Sequence, residues 1–320
     1  MFSLLLTLIL FAVGLGAALL EPTDMGHVIT TRNVEPQATQ VFTIVMLPDT
    51  QRLCNNPSVY DELIQYIVDQ KVARNIKMVL HVGDTVDDGT NSSFHAIADS
   101  ALAKLEGQIP FLIGIGNKDY DDGSGASRTA SAFNAAHPLS MYQNYDWFID
   151  DEYPTGETAN TAAKITVGQT TYLFINIEYL PRTAAITWAQ GIVDDNPDAD
   201  HIIVSNHYVL ENNGVRGSNA AITDLWDDFL SQNAKIRLVL SGHVGGTTTT
   251  PAAARRTDNG VHQHVLNPQT ITGDNWADGA LVRFYEIDQS DHSVSVTTYN
   301  PHNEVAWTDS ANQFTFNLVE

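Results

Sequence analysis

Five apolar runs, each stopping at a short polar cluster, constrain this chain more than any other feature. Val41-Phe-Thr-Ile-Val-Met-Leu47 ends at Pro48, and Asp49-Thr50-Gln51 follow. Lys77-Met-Val-Leu-His-Val82 runs into Gly83-Asp84, and Pro110-Phe-Leu-Ile-Gly-Ile115 into Gly116-Asn117. His201-Ile-Ile-Val-Ser205 stops at Asn206-His207, and Ile236-Arg-Leu-Val-Leu240 leads to Gly242-His243. Such runs, rich in β-branched residues and bounded by turn formers, are the pattern of buried strands. Thr171–Ile177 is a further strand. Helices are expected from Ser58 to about Arg74, around Phe94–Leu105, over Thr183–Val193 and over Asn219–Leu230. The tail then changes character: Val261–Leu266, Ala280–Ile287 and Val294–Tyr299 read as three strands with no helix between them, a closing antiparallel meander. This order predicts an α/β fold, a two-sheet α/β sandwich ending in an antiparallel β meander. No repeat or sharp linker divides it, so 41–320 reads as one domain. The Gly-, Asp-, Asn- and Ser-rich stretch Asp119–Asn160 reads as a long functional loop or insertion.

Charge narrows the partners. Lys and Arg number 16 against 38 Asp and Glu, a formal net charge of −22. Such a field repels a polyanion, so no nucleic-acid duplex is expected as a partner. Small anions stay admissible, because a bound cation inverts the field inside one cleft. A lone cysteine, Cys54, excludes an internal disulfide and a zinc ribbon. Residues 1–20 carry no charged side chain, and small residues follow the apolar run Leu4–Leu15. They read as a signal peptide, with a signal anchor as the alternative, and 21–40 as an extension. The expectation is an exported, secreted protein with no stable membrane span after cleavage. One sequon, Asn91-Ser92-Ser93, would carry glycan only in a glycosylating host.

In α/β sheets the carboxyl ends of neighbouring strands gather in one crevice, where ligands bind. The five clusters would therefore bring together two carboxylates (Asp49, Asp84), side-chain amides (Gln51, Asn117) and two imidazoles (His207, His243). An Asp after a strand is more often a cap or turn former, and a lone His more often a packed or surface residue. Five such clusters behind five buried strands favour a divalent-metal site, for Zn, Mn, Fe or Mg. His81, His201, His262 and His264 lie in or beside strands and read as packed or paired residues. His264, or the Asp121-Asp122 pair, is a candidate to replace a missing ligand.

The ordered set Asp49-Thr-Gln51, Gly83-Asp-Thr-Val-Asp87, Gly116-Asn-Lys-Asp119, His207 and Gly242-His-Val-Gly245 resembles the blueprint of calcineurin-like metallophosphoesterases, in the branch that opens Pro-Asp-Thr-Gln. The resemblance runs from about Val41 to Pro301. It implies phosphate-ester hydrolysis at a two-metal centre, with phosphate-ester small molecules or exposed phosphate groups as partners. It makes Asp84 the bridging ligand and assigns Asn117, His207 and His243 to one ion, Asp49 and residues 51 and 245 to the other. Three positions depart from the pattern. Gln51 offers a neutral carbonyl, Gly245 offers no side chain, and Lys118 stands where a histidine is usual. A strong metal site with a weak second one, suited to Mg or Ca, is the expected result. Lys118 keeps a positive charge for phosphate but is a poor general acid, and Asp119 is expected to pair with it. Two readings follow: a metal-dependent phosphoesterase, or a catalytically impaired relative that binds metal, phosphate or a partner without turnover.

Overall fold

The computed structural model describes residues 41–319. The segments read as a signal peptide and an extension lie outside the described residues. Among the described residues no helix is long and apolar enough to cross a membrane.

Two seven-stranded sheets form the body. The first is built on β1 (Val41–Leu47), β2 (Ile76–His81) and β3 (Phe111–Ile113), paired in parallel. Between these strands run α1 (Pro57–Gln70) and α2 (Ser92–Leu102), the latter capped by the Asn91 side chain. The chain then forms α3 (Ser131–Ala136) and enters the second sheet through β4 (Phe148–Tyr153), β5 (Asn160–Val167) and β6 (Thr170–Ile177). After α4 (Thr183–Asp195) come β7 (His201–Asn206), α5 (Ala220–Leu225) with a wide turn over Trp226–Leu230, and β8 (Ile236–Ser241). β9 (Ala252–Asp258) and β10 (Val261–Asn267) complete that sheet in the order β4-β5-β6-β7-β8-β10-β9. The chain returns to the first sheet with β11 (Val282–Asp288), β12 (Ser293–Asn300), β13 (Val305–Trp307) and β14 (Phe314–Asn317). β11 lies antiparallel to β1, and β12 antiparallel to β11.

Side chains that alternate along each strand separate two cores. Tyr172 and Phe174 of β6 face the first sheet and share a core with Phe42, Ile44 and Phe284. Leu173, Ile175 and Ile177 of the same strand face outward, where Ile186, Ala189 and Ile192 of α4 cover them. At its apolar-area rate of about 25 cal/mol per Å², this burial is the main favourable contribution to folding. Arg283 of β11, fully buried, ties the tail down by donating to Thr298 Oγ1 (2.9 Å), Asn312 Oδ1 (2.7 Å) and the Ala311 carbonyl (3.1 Å).

The structure corrects two expectations and adds a strand, β9. β10 does not belong to a C-terminal meander: it pairs in parallel with β8 in the second sheet, and the antiparallel tail is β11 to β14. β9 was hidden because Ala-Ala-Ala-Arg-Arg is helix-forming. Asn259 and Gly260, both at positive φ, make it the hairpin partner of β10. The stretch Asp119–Asn160 is only partly loop, since it contains α3 and β4.

Several buried histidines make acid the weak side of this fold. His137 is completely buried, and among the described residues neither ring nitrogen has a hydrogen-bond partner. Burial holds it down to about 3 from an ordinary 6.5, and burial does the same to His81. The unfolded chain therefore binds protons below pH 6.5 that the native chain refuses until about pH 3. Stability from this source is intact above pH 6.5 and is lost as pH falls toward 3. Each such histidine contributes a loss of up to about 1.4 kcal/mol per pH unit. Urea melts of His137→Phe between pH 7 and 4 should show a shallower acid loss than the parent. Parallel curves would contradict this account.

Candidate metal centre

The polar clusters do meet. Asp49, Asp84 and His207 each present a ligand atom within 4.8 Å of the other two, and all three are buried. His207 Nδ1 lies 3.1 Å from the Val82 carbonyl, which accepts its proton and leaves Nε2 free to face inward. His207 Nε2 is 3.3 Å from Asp84 Oδ1 and 3.3 Å from His243 Nδ1, and His243 Nδ1 is 2.9 Å from Asn117 Oδ1. Donors sharing an ion at about 2.1 Å stand roughly 3–3.4 Å apart, so these spacings suit a shared cation.

Backbone geometry brings the groups this close. Asp84 and His243 both adopt left-handed φ, 55° and 69°, which costs non-glycine residues on the order of 1–3 kcal/mol. Asp84 is held there by the Lys118 N–H, which donates to its Oδ1 at 2.8 Å, and His243 by its own N–H donating to Asp49. His81 links the loops behind the carboxylates: its Nδ1 accepts from Gly83 N (3.0 Å), so Nε2 carries the proton toward Thr50 Oγ1 (2.8 Å). Of the two readings of His81, packed or paired, the paired one holds: it braces the Asp49 and Asp84 loops.

The electrostatics also suit a cation. Burial pushes Asp49 well above the usual carboxylate range, and the Asp84 charge adds to that against the pull of His207. Burial opposes ionisation of Asp84 too, but the His207 ring overrides it and holds Asp84 below its ordinary value. Burial likewise opposes charging His207, yet Asp84 and Asp49 raise it to about 9. Burial and the neighbouring His207 lower His243 to about 4. Crowded carboxylates and imidazoles compete for protons here, and a divalent ion would satisfy them together.

The other sequence-derived residues divide. Asn117 joins the cluster through Oδ1, while its Nδ2 donates to the Gly123 carbonyl of the insertion (3.1 Å), fixing the amide's orientation. Lys118 is half-buried beside Asp84, and among the described residues its ammonium makes no ion pair with a carboxylate. Asp119 does not pair with Lys118. Its Oδ1 accepts from Thr85 N (2.8 Å), Thr85 Oγ1 (2.6 Å) and Val86 N (3.2 Å), and its Oδ2 from Gly116 N (2.8 Å). Asp119 therefore staples the Asp84 and Asn117 loops together. Gly245 has no room for a larger residue without movement, because a Cβ would meet Thr270 Cγ2 at 2.8 Å. His264 packs against Tyr285, Phe314 and Phe316, while Asp121 and Asp122 accept backbone N–H groups within the insertion. None of these replaces a ligand. Cys54 is buried, and burial pushes its thiol up to about 12, so it is inert.

Two residues were missed. Asn267 Nδ2 donates to Asp49 Oδ2 at 2.8 Å, and Gln269 Nε2 donates to the His243 carbonyl at 2.7 Å. Asn267-Pro268-Gln269 is another polar cluster directly behind a strand, though in Val261–Leu266 polar and apolar residues mix, so it shares only part of the signal that found the first five.

Comparisons with known proteins agree with this geometry. The profile of the calcineurin-like phosphoesterase family matches residues 42–245. An uncharacterized protein of Bacillus subtilis (strain 168), YvnB, is 26% identical over 284 residues, which are 83% of this chain and 20% of that protein. The chain thus spans about a fifth of the length of the curated relative it matches. Among solved structures, purple acid phosphatase PPD1 from yellow lupin seeds aligns with a TM-score of 0.54 at 11% identity, covering 88% of this chain and 55% of that one. GAP50, described as the anchor in the inner membrane complex of Plasmodium, aligns with a TM-score of 0.51 at 13% identity, covering 87% and 89%. At these identities the structural matches speak for the fold alone. The profile match spans more than half of the chain and includes the strand ends that carry Asp49, Asp84, Asn117, His207 and His243; the protein belongs to the calcineurin-like phosphoesterase family.

Proposed function

We propose that this protein is an exported, metal-dependent phosphoesterase that hydrolyses phosphate esters at the Asp49–Asp84–His207–His243 centre. The observation that carries the reading is the convergence of Asp49, Asp84 and His207 ligand atoms within 4.8 Å, with His243 and Asn117 beside them. When bound, divalent ions supply Lewis-acid charge for a phosphoryl oxygen and acidify a water molecule. Asp49, Asp84, His207, His243 and Asn117 would hold them. The chain's own residues do the rest. Val82 and Gly123 carbonyls orient His207 and Asn117, so these ligands need no reorganisation during the reaction. Lys118 places a positive charge near the oxygens of a bound phosphate.

With lysine at 118, protonation of the leaving oxygen has weak support. Aryl phosphates, whose leaving groups need no proton, should therefore turn over at least roughly 100-fold faster than alkyl phosphates. Comparing p-nitrophenyl phosphate with an alkyl phosphate under added Mn, Zn or Mg tests this. Equal rates on both would contradict the role given to Lys118. No turnover on either, with metal bound, would favour the second reading, a non-catalytic binding protein, which the residues at 51, 118 and 245 support.

A further inference from the structure

The Asp49 side of the centre contains a carboxamide relay whose polarity can be deduced. It starts at the backbone carbonyl of His243, which can only accept a hydrogen bond. Gln269 must meet it with Nε2, at 2.7 Å. Gln269 therefore has Oε1 left for Gln51, and Gln51 must answer with its own Nε2. That leaves Gln51 Oε1 as the free end of the relay. It is buried and, among the described residues, has no hydrogen-bond partner, in a residue 1% exposed. An orphaned buried carbonyl costs about 1–3 kcal/mol unless something satisfies it. A second amide is fixed in the same way: Asn267 Oδ1 accepts from Gln269 N (2.8 Å), so Asn267 Nδ2 must face Asp49.

We propose that Gln269 is a positioning residue that turns Gln51 Oε1 into a neutral ligand, making the Asp49 side an oxygen-only position for a hard divalent ion such as Mg²⁺. Among the described residues, imidazole ligands stand only on the His207–His243 side, so the two sides select different ion classes. This inference rests on the metal-binding part of the proposed function and adds the residue that sets ion choice.

The test separates the two sides by their ions. The purified protein is loaded with Co²⁺, whose visible absorption reports imidazole ligation, and then titrated with Mg²⁺ by calorimetry. The parent should take about one Co²⁺ and then one Mg²⁺. Gln269→Leu should weaken the Mg²⁺ step about 10–100-fold and leave the Co²⁺ spectrum unchanged. Gln51→Leu should lose the Mg²⁺ step outright. In the double variant Gln51→Glu with Gln269→Leu, Mg²⁺ binding should return, because a carboxylate presents oxygen at both ends and needs no relay. A merely structural role for Gln269 would not predict that rescue. Thermal melts of the metal-free variants identify any that fail to fold. Unchanged Mg²⁺ affinity in Gln269→Leu, failure of the rescue in a folded double variant, or two equivalent Co²⁺ ions in the parent would overturn the inference while leaving the phosphoesterase reading intact. Absence of both ions from the parent would overturn both.

Discussion

Asp84→Asn is expected to lower phosphate-ester turnover by on the order of 10³-fold or more and to weaken metal binding, while the chain still folds. Asp84 contributes a buried carboxylate to the Asp49–Asp84–His207 group, and no other carboxylate of that group touches His207 at 3.3 Å. Asparagine keeps an oxygen to accept the Lys118 N–H at 2.8 Å, so the strained backbone at φ 55° retains its anchor. His207 loses its nearest negative charge and can shed its proton, so no uncompensated buried charge remains in the metal-free state. Kinetics, metal titration and a urea melt on the same preparation check all three parts. Parent-like turnover in Asp84→Asn would show that the chemistry lies elsewhere.

Gly116→Ala is expected to be nearly as damaging, through sterics alone. A Cβ at this position would lie 2.2 Å from Asp84 Oδ1, 2.3 Å from Asp84 N and 2.8 Å from His207 Cε1. One of these contacts is with backbone, so no side-chain rotation relieves it. The loop must shift, at a cost of about 1–3 kcal/mol, and Asp84 and His207 move with it. Metal affinity should fall by at least roughly 10-fold. Gly191→Ala in α4 is the matched control, because its Cβ meets nothing within 4 Å. That change should be neutral or stabilise the helix by up to about 1 kcal/mol. If Gly116→Ala binds metal and melts like the parent, the close approach of the β3 loop to Asp84 is not required.

Both predictions depend on features that the sequence revealed unequally. Strands β1, β2, β7 and β8 were legible because they are continuous apolar runs buried on both faces. Their ends led directly to Asp49, Asp84, His207 and His243. β5 (Asn-Thr-Ala-Ala-Lys-Ile-Thr-Val) was not, since small residues give little periodic signal even where they are buried. β10 was found as a strand but assigned to the wrong sheet. That error also hid Asn267 and Gln269, because a strand in a distal meander has no reason to point at the centre. Asp119 was legible as a carboxylate near the site but not in its role. Its partners are mostly backbone N–H groups, whose directions no residue pattern displays. The same holds for the Gln51–Gln269–His243 relay, which joins residues 218 positions apart.

The most direct test of the central claim is elemental analysis of the purified protein, run beside hydrolysis of phosphomonoesters and phosphodiesters with added Mg, Mn, Zn and Ca. The account predicts bound divalent metal and turnover that chelation abolishes and metal restores. A protein that holds no metal at saturating concentrations, or that hydrolyses esters equally well after chelation, would contradict it.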